Sequence, residues 1–212
     1  MIPPPAPYRT DTGPRVLHTL RCAGFTPLAG VAVATGLSVP EAESALIDLA
    51  VAGWVSRAPG ELGGGWGLTE DGRAEDARLV AGELAASGAR PAVSGAYEDF
   101  LVLNPELLDL CTAWQLRPGD GAPTVNDHSD PVYDARVLGL FVELHERALP
   151  VCDRLAAALE RFGRYRVRLG DALRRARSGE PDQLTDTTSS YHTVWFQLHE
   201  DLLTTLDLSR HG

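Results

Sequence analysis

The tetrapeptide Ser38-Val39-Pro40-Glu41 is the strongest single constraint on how this chain folds. The Ser38 hydroxyl can accept from the amide three residues on, and Glu41 can reach back to the Ser38 amide. Pro40 falls in the first turn, where its missing N–H forfeits no helical hydrogen bond. A helix therefore starts here. Behind it Ala42, Leu46, Leu49 and Gly53 recur at spacings of four, three and four, a single apolar face that must pack on something. Two short helical patterns lie upstream: Val16, Leu17 and Leu20, closed by Gly24, and Leu28, Val31 and Ala32, closed by Gly36. Downstream, Trp54 to Arg57 reads as a strand, Ala58 to Gly65 as a glycine-rich turn and Trp66 to Thr69 as the return strand, with Thr69 placed to cap a further helix.

Three short helices, a hairpin and a helix predict a winged helix-turn-helix. The segment resembles the MarR-like and related bacterial winged-helix regulators. The resemblance is carried by Ala34-Thr35-Gly36-Leu37-Ser38, by Leu49-Ala50-Val51-Ala52-Gly53-Trp54-Val55-Ser56-Arg57 and by Leu68-Thr69-Glu70-Asp71-Gly72-Arg73. It covers about a third of the chain. It implies a transcriptional regulator that binds double-stranded DNA as a homodimer. Arg15, Arg21 and Arg57 would grip the backbone, and the helix opened by Ser38 would bring Ser44 and Ile47 to base edges.

Charge argues the other way. The outward face of that helix holds Glu41, Glu43, Ser44, Ile47, Asp48 and Val51, three carboxylates with no basic or amide side chain. Residues 1–78 contain six arginines against nine acids, and the whole chain carries a net charge of −10. Phosphate contacts supply most nucleic-acid affinity, so DNA-binding modules normally show a basic footprint. Two readings therefore stand: a DNA-binding regulator, or a winged-helix adaptor that has kept the fold and docks a partner protein.

Composition divides the chain further. Residues 1–14 carry five prolines and predict an extended arm. The winged unit with its linker helix is expected over residues 15–87. After Gly88-Ala89-Arg90-Pro91 the pattern turns to long amphipathic helices, so a helical bundle is expected over residues 95–212 and the fold class is mainly α. Within it Tyr97, Phe100, Leu101 and Leu103 predict a short helix, and Asn104-Pro105 reads as the cap and first position of another. Residues 117–131 read as a polar loop. Val137, Phe141, Leu144, Ala148, Val151, Leu155, Leu159 and Phe162 predict one long core helix kinked at Pro150. A basic helix spans about residues 164–178, and a last helix begins near Ser189.

The bundle also carries the candidate ligand residues. Trp114, His128, His145, Tyr191, His192, Trp195 and His199 combine aromatic walls with a few polar groups, the composition of a small-molecule pocket. The alternative for each histidine is a structural hydrogen bond at the edge of the core. His192 and His199 are seven residues apart, about 10 Å along a helix, which is too far for one metal. No metal or cofactor is expected. Residues 161–177 hold seven arginines and one acid, the one strongly positive stretch of the sequence. It fits either a solvated face paired with acids or a site for an anionic effector. Arg161, Arg164 and Arg168 share a face; Arg174, Arg175 and Arg177 do not.

There is no GxSxG elbow, no P-loop, no dinucleotide fingerprint and no lysine, so an enzyme is not expected. The cysteines Cys22, Cys111 and Cys152 are odd in number and widely spaced, which disfavours a disulfide framework and suggests the cytoplasm. No apolar run approaches the roughly 20 residues of a membrane helix.

Overall fold

The computed structural model describes residues 6–59, 64–118 and 122–209. Over them the chain is mainly helical, with eight α-helices and two short hairpins. The first unit runs α1 (Thr12–Ala23), α2 (Leu28–Thr35), α3 (Val39–Val51), β1 (Val55–Ala58), β2 (Gly65–Leu68) and α4 (Glu70–Ser87). The Ser38 capping box forms as its sequence dictates: the Ser38 amide donates to Glu41 Oε2 at 2.8 Å while the Ser38 hydroxyl accepts from the Glu41 amide. Thr69 caps α4 through the Gly72 amide and donates its hydroxyl to the Gly53 carbonyl, tying the helix to the turn before β1. The strands pair antiparallel, Val55 opposite Leu68 and Ala58 opposite Gly65. Val16, Leu17, Leu20, Val31, Leu46, Leu49 and Val55 make the unit's buried core. Gly72 is required by close approach: a Cβ there would sit 1.8 Å from the Trp54 carbonyl oxygen.

The second unit comprises α5 (Arg90–Gln115), α6 (Pro131–Ala158), α7 (Gly163–Arg177) and α8 (Tyr191–Leu206), around a core that includes Phe100, Leu107, Phe141, Leu144, Leu155, Tyr165, Leu169 and Leu202. Several sequence expectations are corrected. Asn104 does not cap a new helix, since α5 runs unbroken through Pro105. Pro105 and Leu101 are both exposed, so water can take the carbonyl bond that the proline leaves open. Asn104 Oδ1 instead accepts from Trp195 Nε1 at 3.0 Å, joining α5 to α8.

The 117–131 loop contains a minimal hairpin of β3 (Leu116–Arg117) and β4 (Thr124–Val125); residues 119–121 lie outside the described set. The long core helix stops at Ala158, so Leu159 and Phe162 contribute from a cap and a 3₁₀ turn. The N-terminal arm is shorter than expected, because α1 begins at Thr12. Before it, the chain is pinned to the second unit: the Tyr8 amide donates to the Ala158 carbonyl at 3.3 Å and the Glu160 amide to the Tyr8 carbonyl at 2.9 Å.

No helix among the described residues is long and apolar enough to cross a membrane. The two cores are separate clusters, yet α1 and α4 pack on α8, and α2 packs on α7. What lies in that junction is polar.

Candidate functional site

At the junction, α1 brings His18 and Cys22, one turn apart on the face that meets α8. His18 Nδ1 lies 3.1 and 3.2 Å from the two carboxylate oxygens of Asp76 on α4, and its Nε2 lies 3.0 Å from Asp201 Oδ1 on α8. Cys22 Sγ is 3.5 Å from the same Nε2. All four side chains are buried. Burial opposes a charged imidazole, and Arg161 opposes it further. The Cys22 sulfur and the Asp201 and Asp76 carboxylates outweigh both and hold the His18 pKa well above its ordinary value. His18 is therefore an imidazolium that donates from both ring nitrogens.

Asp201 is the hub. It accepts from His18, from Arg161, from Arg164 at 3.1 Å, from the Tyr165 hydroxyl at 2.9 Å and from Thr205 at 3.1 Å. Burial alone would raise its pKa. Arg161, His18 and Arg164 reverse that and hold it well below the usual carboxylate range. Arg161, itself buried, also donates from Nε to Glu83 at 2.8 Å and from Nη2 to Thr205 at 2.7 Å. Glu83 takes a further bond from the Thr10 hydroxyl. Arg164 reaches across to Thr19 on α1 at 2.5 Å. Arg161, Arg164 and His18⁺ are thus matched by Asp76, Glu83 and Asp201, and the matched set bolts the two units together. Buried charges persist only when paired this way.

His18 Nε2, Cys22 Sγ and an Asp201 oxygen lie within 4.8 Å of one another, a spacing a metal could exploit. Their chemistry points elsewhere. The imidazole has spent both nitrogens as donors, and Asp201 already meets two guanidinium groups, which would repel a cation. The cluster stores a proton and two arginines.

The arginines of the basic stretch divide between an inward face and a solvated one. Arg161, Arg164 and Arg168 do share the inward face. Arg168 donates to Gln197 Oε1 at 2.6 Å, and burial, helped by Arg164, lowers its pKa to about 10. Arg166, Arg174 and Arg175 are solvated and paired with Asp153, Asp171 and Glu180.

The candidate DNA residues scatter. Ser38, Ser44, Ile47 and Arg57 are exposed on or beside α3 and β1, and Arg21 is exposed on α1. Arg15 is half-buried against the junction, lining a cavity with Thr10, Thr35, Glu160, Arg161 and Arg164. Glu41, Glu43 and Asp48 share the exposed outer face of α3 with Ile47 and Val51, and Val51 is 85% exposed.

The candidate ligand residues fall into smaller groups. Trp114 lies against His128, ring centroids 4.8 Å apart, and His128 Nδ1 meets Asp134 at 3.0 Å. His145 Nδ1 meets the Tyr191 hydroxyl at 3.2 Å; burial and Arg166 lower the His145 pKa. Tyr191 is itself wholly buried. His192, Trp195 and His199 line one cavity of about 250 Å³ with Asn104, Leu108 and Phe196.

Sequence reasoning passed over His18, Cys22, Asp76, Glu83 and Asp201. One signal was present: Asp201 interrupts the apolar stripe of α8 beside Leu198 and Leu202, where only a paired acid can sit. Comparison with family models, curated proteins and solved structures finds no match to this chain.

Proposed function

We propose that this chain is an adaptor: a winged helix-turn-helix, formed by α1 to α4 with β1 and β2 as the wing, that docks a partner protein through the outer face of α3 and is held rigidly on a helical bundle. The observation that carries the reading is the composition of that face. Ile47 and Val51 stand exposed on the same outer face that carries Glu41, Glu43 and Asp48. An apolar anchor beside a carboxylate rim complements a polypeptide that presents an apolar side chain next to basic ones. Against a phosphate backbone the same rim repels. Arg15, one of the arginines a DNA-binding dimer would need, is half-buried and lines the junction cavity.

The second reading, a homodimeric regulator on double-stranded DNA, draws support from the exposure of Arg21 and Arg57 and of Ser44 on α3. In either reading the bundle cavity at His192, Trp195 and His199 offers a place for a small effector.

One pair of measurements separates them. Titrating the purified protein against its own upstream DNA in low salt should give no sequence-selective binding at micromolar protein. A photo-crosslinker at Val51 should capture one protein in cells, with capture abolished by Glu43→Arg with Asp48→Arg. Sequence-selective DNA binding that weakens in Ser44→Ala and Arg57→Gln would overturn the adaptor reading and establish the regulator.

A further inference from the structure

Two buried nitrogens at the junction have no hydrogen-bond partner among the described residues: Nε of Arg15 and Nε of Arg164. Both residues line the same cavity of about 140 Å³, whose remaining walls are Thr10, Thr35, Glu160 and Arg161. The other donors there are already engaged. Arg161 gives its three nitrogens to Glu83, Asp201 and Thr205. Thr10 donates to Glu83, and Thr35 donates to the Val31 and Ala32 carbonyls. Glu160 is half-exposed at the rim and faces Arg9 at 3.8 Å. Both Nε atoms are closed off from solvent, so the group left to meet a ligand is the remainder of the Arg15 guanidinium, beside the half-exposed Glu160 carboxylate.

Charge gives the same answer. The matched set of His18, Arg161, Arg164, Asp76, Glu83 and Asp201 leaves Arg15 over. Glu41 feels the field of Arg15, but no carboxylate among the described residues lies within ion-pair distance of it. A half-buried guanidinium without an acceptor is a fork that fits an oxyanion.

We infer that this cavity is a binding site for a small oxyanion, phosphate or a short carboxylate, held by Arg15 in the field of Arg164 between the two units. At roughly 30 Å³ per water, its volume equals about four or five waters, enough for either and too small for a nucleotide. Thr10 precedes α1, Arg15 sits on α1, Thr35 ends α2 and Arg164 opens α7, so a bound anion would clamp all of them. The inference does not rest on the docking reading of α3 and can stand if that reading fails.

The test uses the whole chain in chloride buffer at fixed ionic strength, with sodium phosphate in one arm and sodium acetate in the other. One arm or both should raise the melting temperature saturably, by about 5 °C near a hundredfold excess over Kd. The rise should vanish in Arg15→Gln and persist in Arg174→Gln, which alters an exposed arginine of α7. The Arg15 and Arg164 Nε–H resonances should move during the same titration. Phosphate acting alone, or acetate alone, identifies the class of anion. No rise in either arm, an equal rise in Arg15→Gln, or unmoved Nε–H signals would overturn the inference. So would an anion-free Arg15→Gln melting more than a few degrees below wild type, because Arg15 would then have a partner in the protein itself.

Discussion

Replacing Asp201 by asparagine keeps the shape of the hub and removes its charge. Five donors converge on that carboxylate: His18, Arg161, Arg164, Tyr165 and Thr205. Asparagine offers one acceptor oxygen and turns an NH₂ toward groups that are themselves donors. Arg161, Arg164 and His18 would then be buried with one counter-charge too few. Breaking one side of a buried ion pair costs about 3–5 kcal/mol. Folded domains hold only about 5–15 kcal/mol in total. For a chain of this size 1 kcal/mol moves the midpoint by roughly 2–4 °C, so the loss is about 6–20 °C. Urea and thermal unfolding followed by far-UV circular dichroism read the magnitude, and proton NMR of the His18 ring reads the mechanism. The His18 pKa should fall in Asp201→Asn, because burial then acts with less opposition. A loss of under about 1 kcal/mol, or an unchanged His18 titration, would refute the account of Asp201 as the hub.

Other outcomes follow from the same geometry. His18 has a raised folded pKa, so its contribution is complete below its unfolded value of about 6.5 and drains away as pH climbs through the folded value. Urea midpoints should therefore fall on the alkaline side, and His18→Gln should flatten that limb. Asp201, with its lowered pKa, gives the opposite sign: its contribution is present above about 3.9 and is lost as pH falls through the folded value. Gly72→Ala should cost at least about 2 kcal/mol in urea unfolding, because backbone rather than a movable side chain stands in the way. The three cysteines are buried, and burial pushes Cys111 and Cys152 up to about 12. None should react with Ellman's reagent in native buffer at pH 8, and all three should react in urea; a fast native thiol would contradict the packing.

Local chemistry was legible wherever neighbours in sequence act on one another. The Ser38 box, the Thr69 cap and the glycines that close α1 and α2 involve groups a few residues apart, and each formed where the sequence placed it. The shared face of Arg161, Arg164 and Arg168 came from the same periodicity. Pro105 misled for a related reason. A proline is a strong local stop signal, but its missing hydrogen bond costs little on a wet helix face, and the packing of α5 along the bundle overrides it.

The site itself was not legible. His18 and Asp201 are separated by 183 positions, and Arg161 and Glu83 by 78. Periodicity showed which helix faces must be covered, and composition showed where the chain changes character. Neither can say that the buried face of α1 meets that of α8. A buried charge survives only beside its opposite, so the partners of His18, Arg161 and Arg164 were set when the two units closed on each other, and Arg15 was left without one by the same closure.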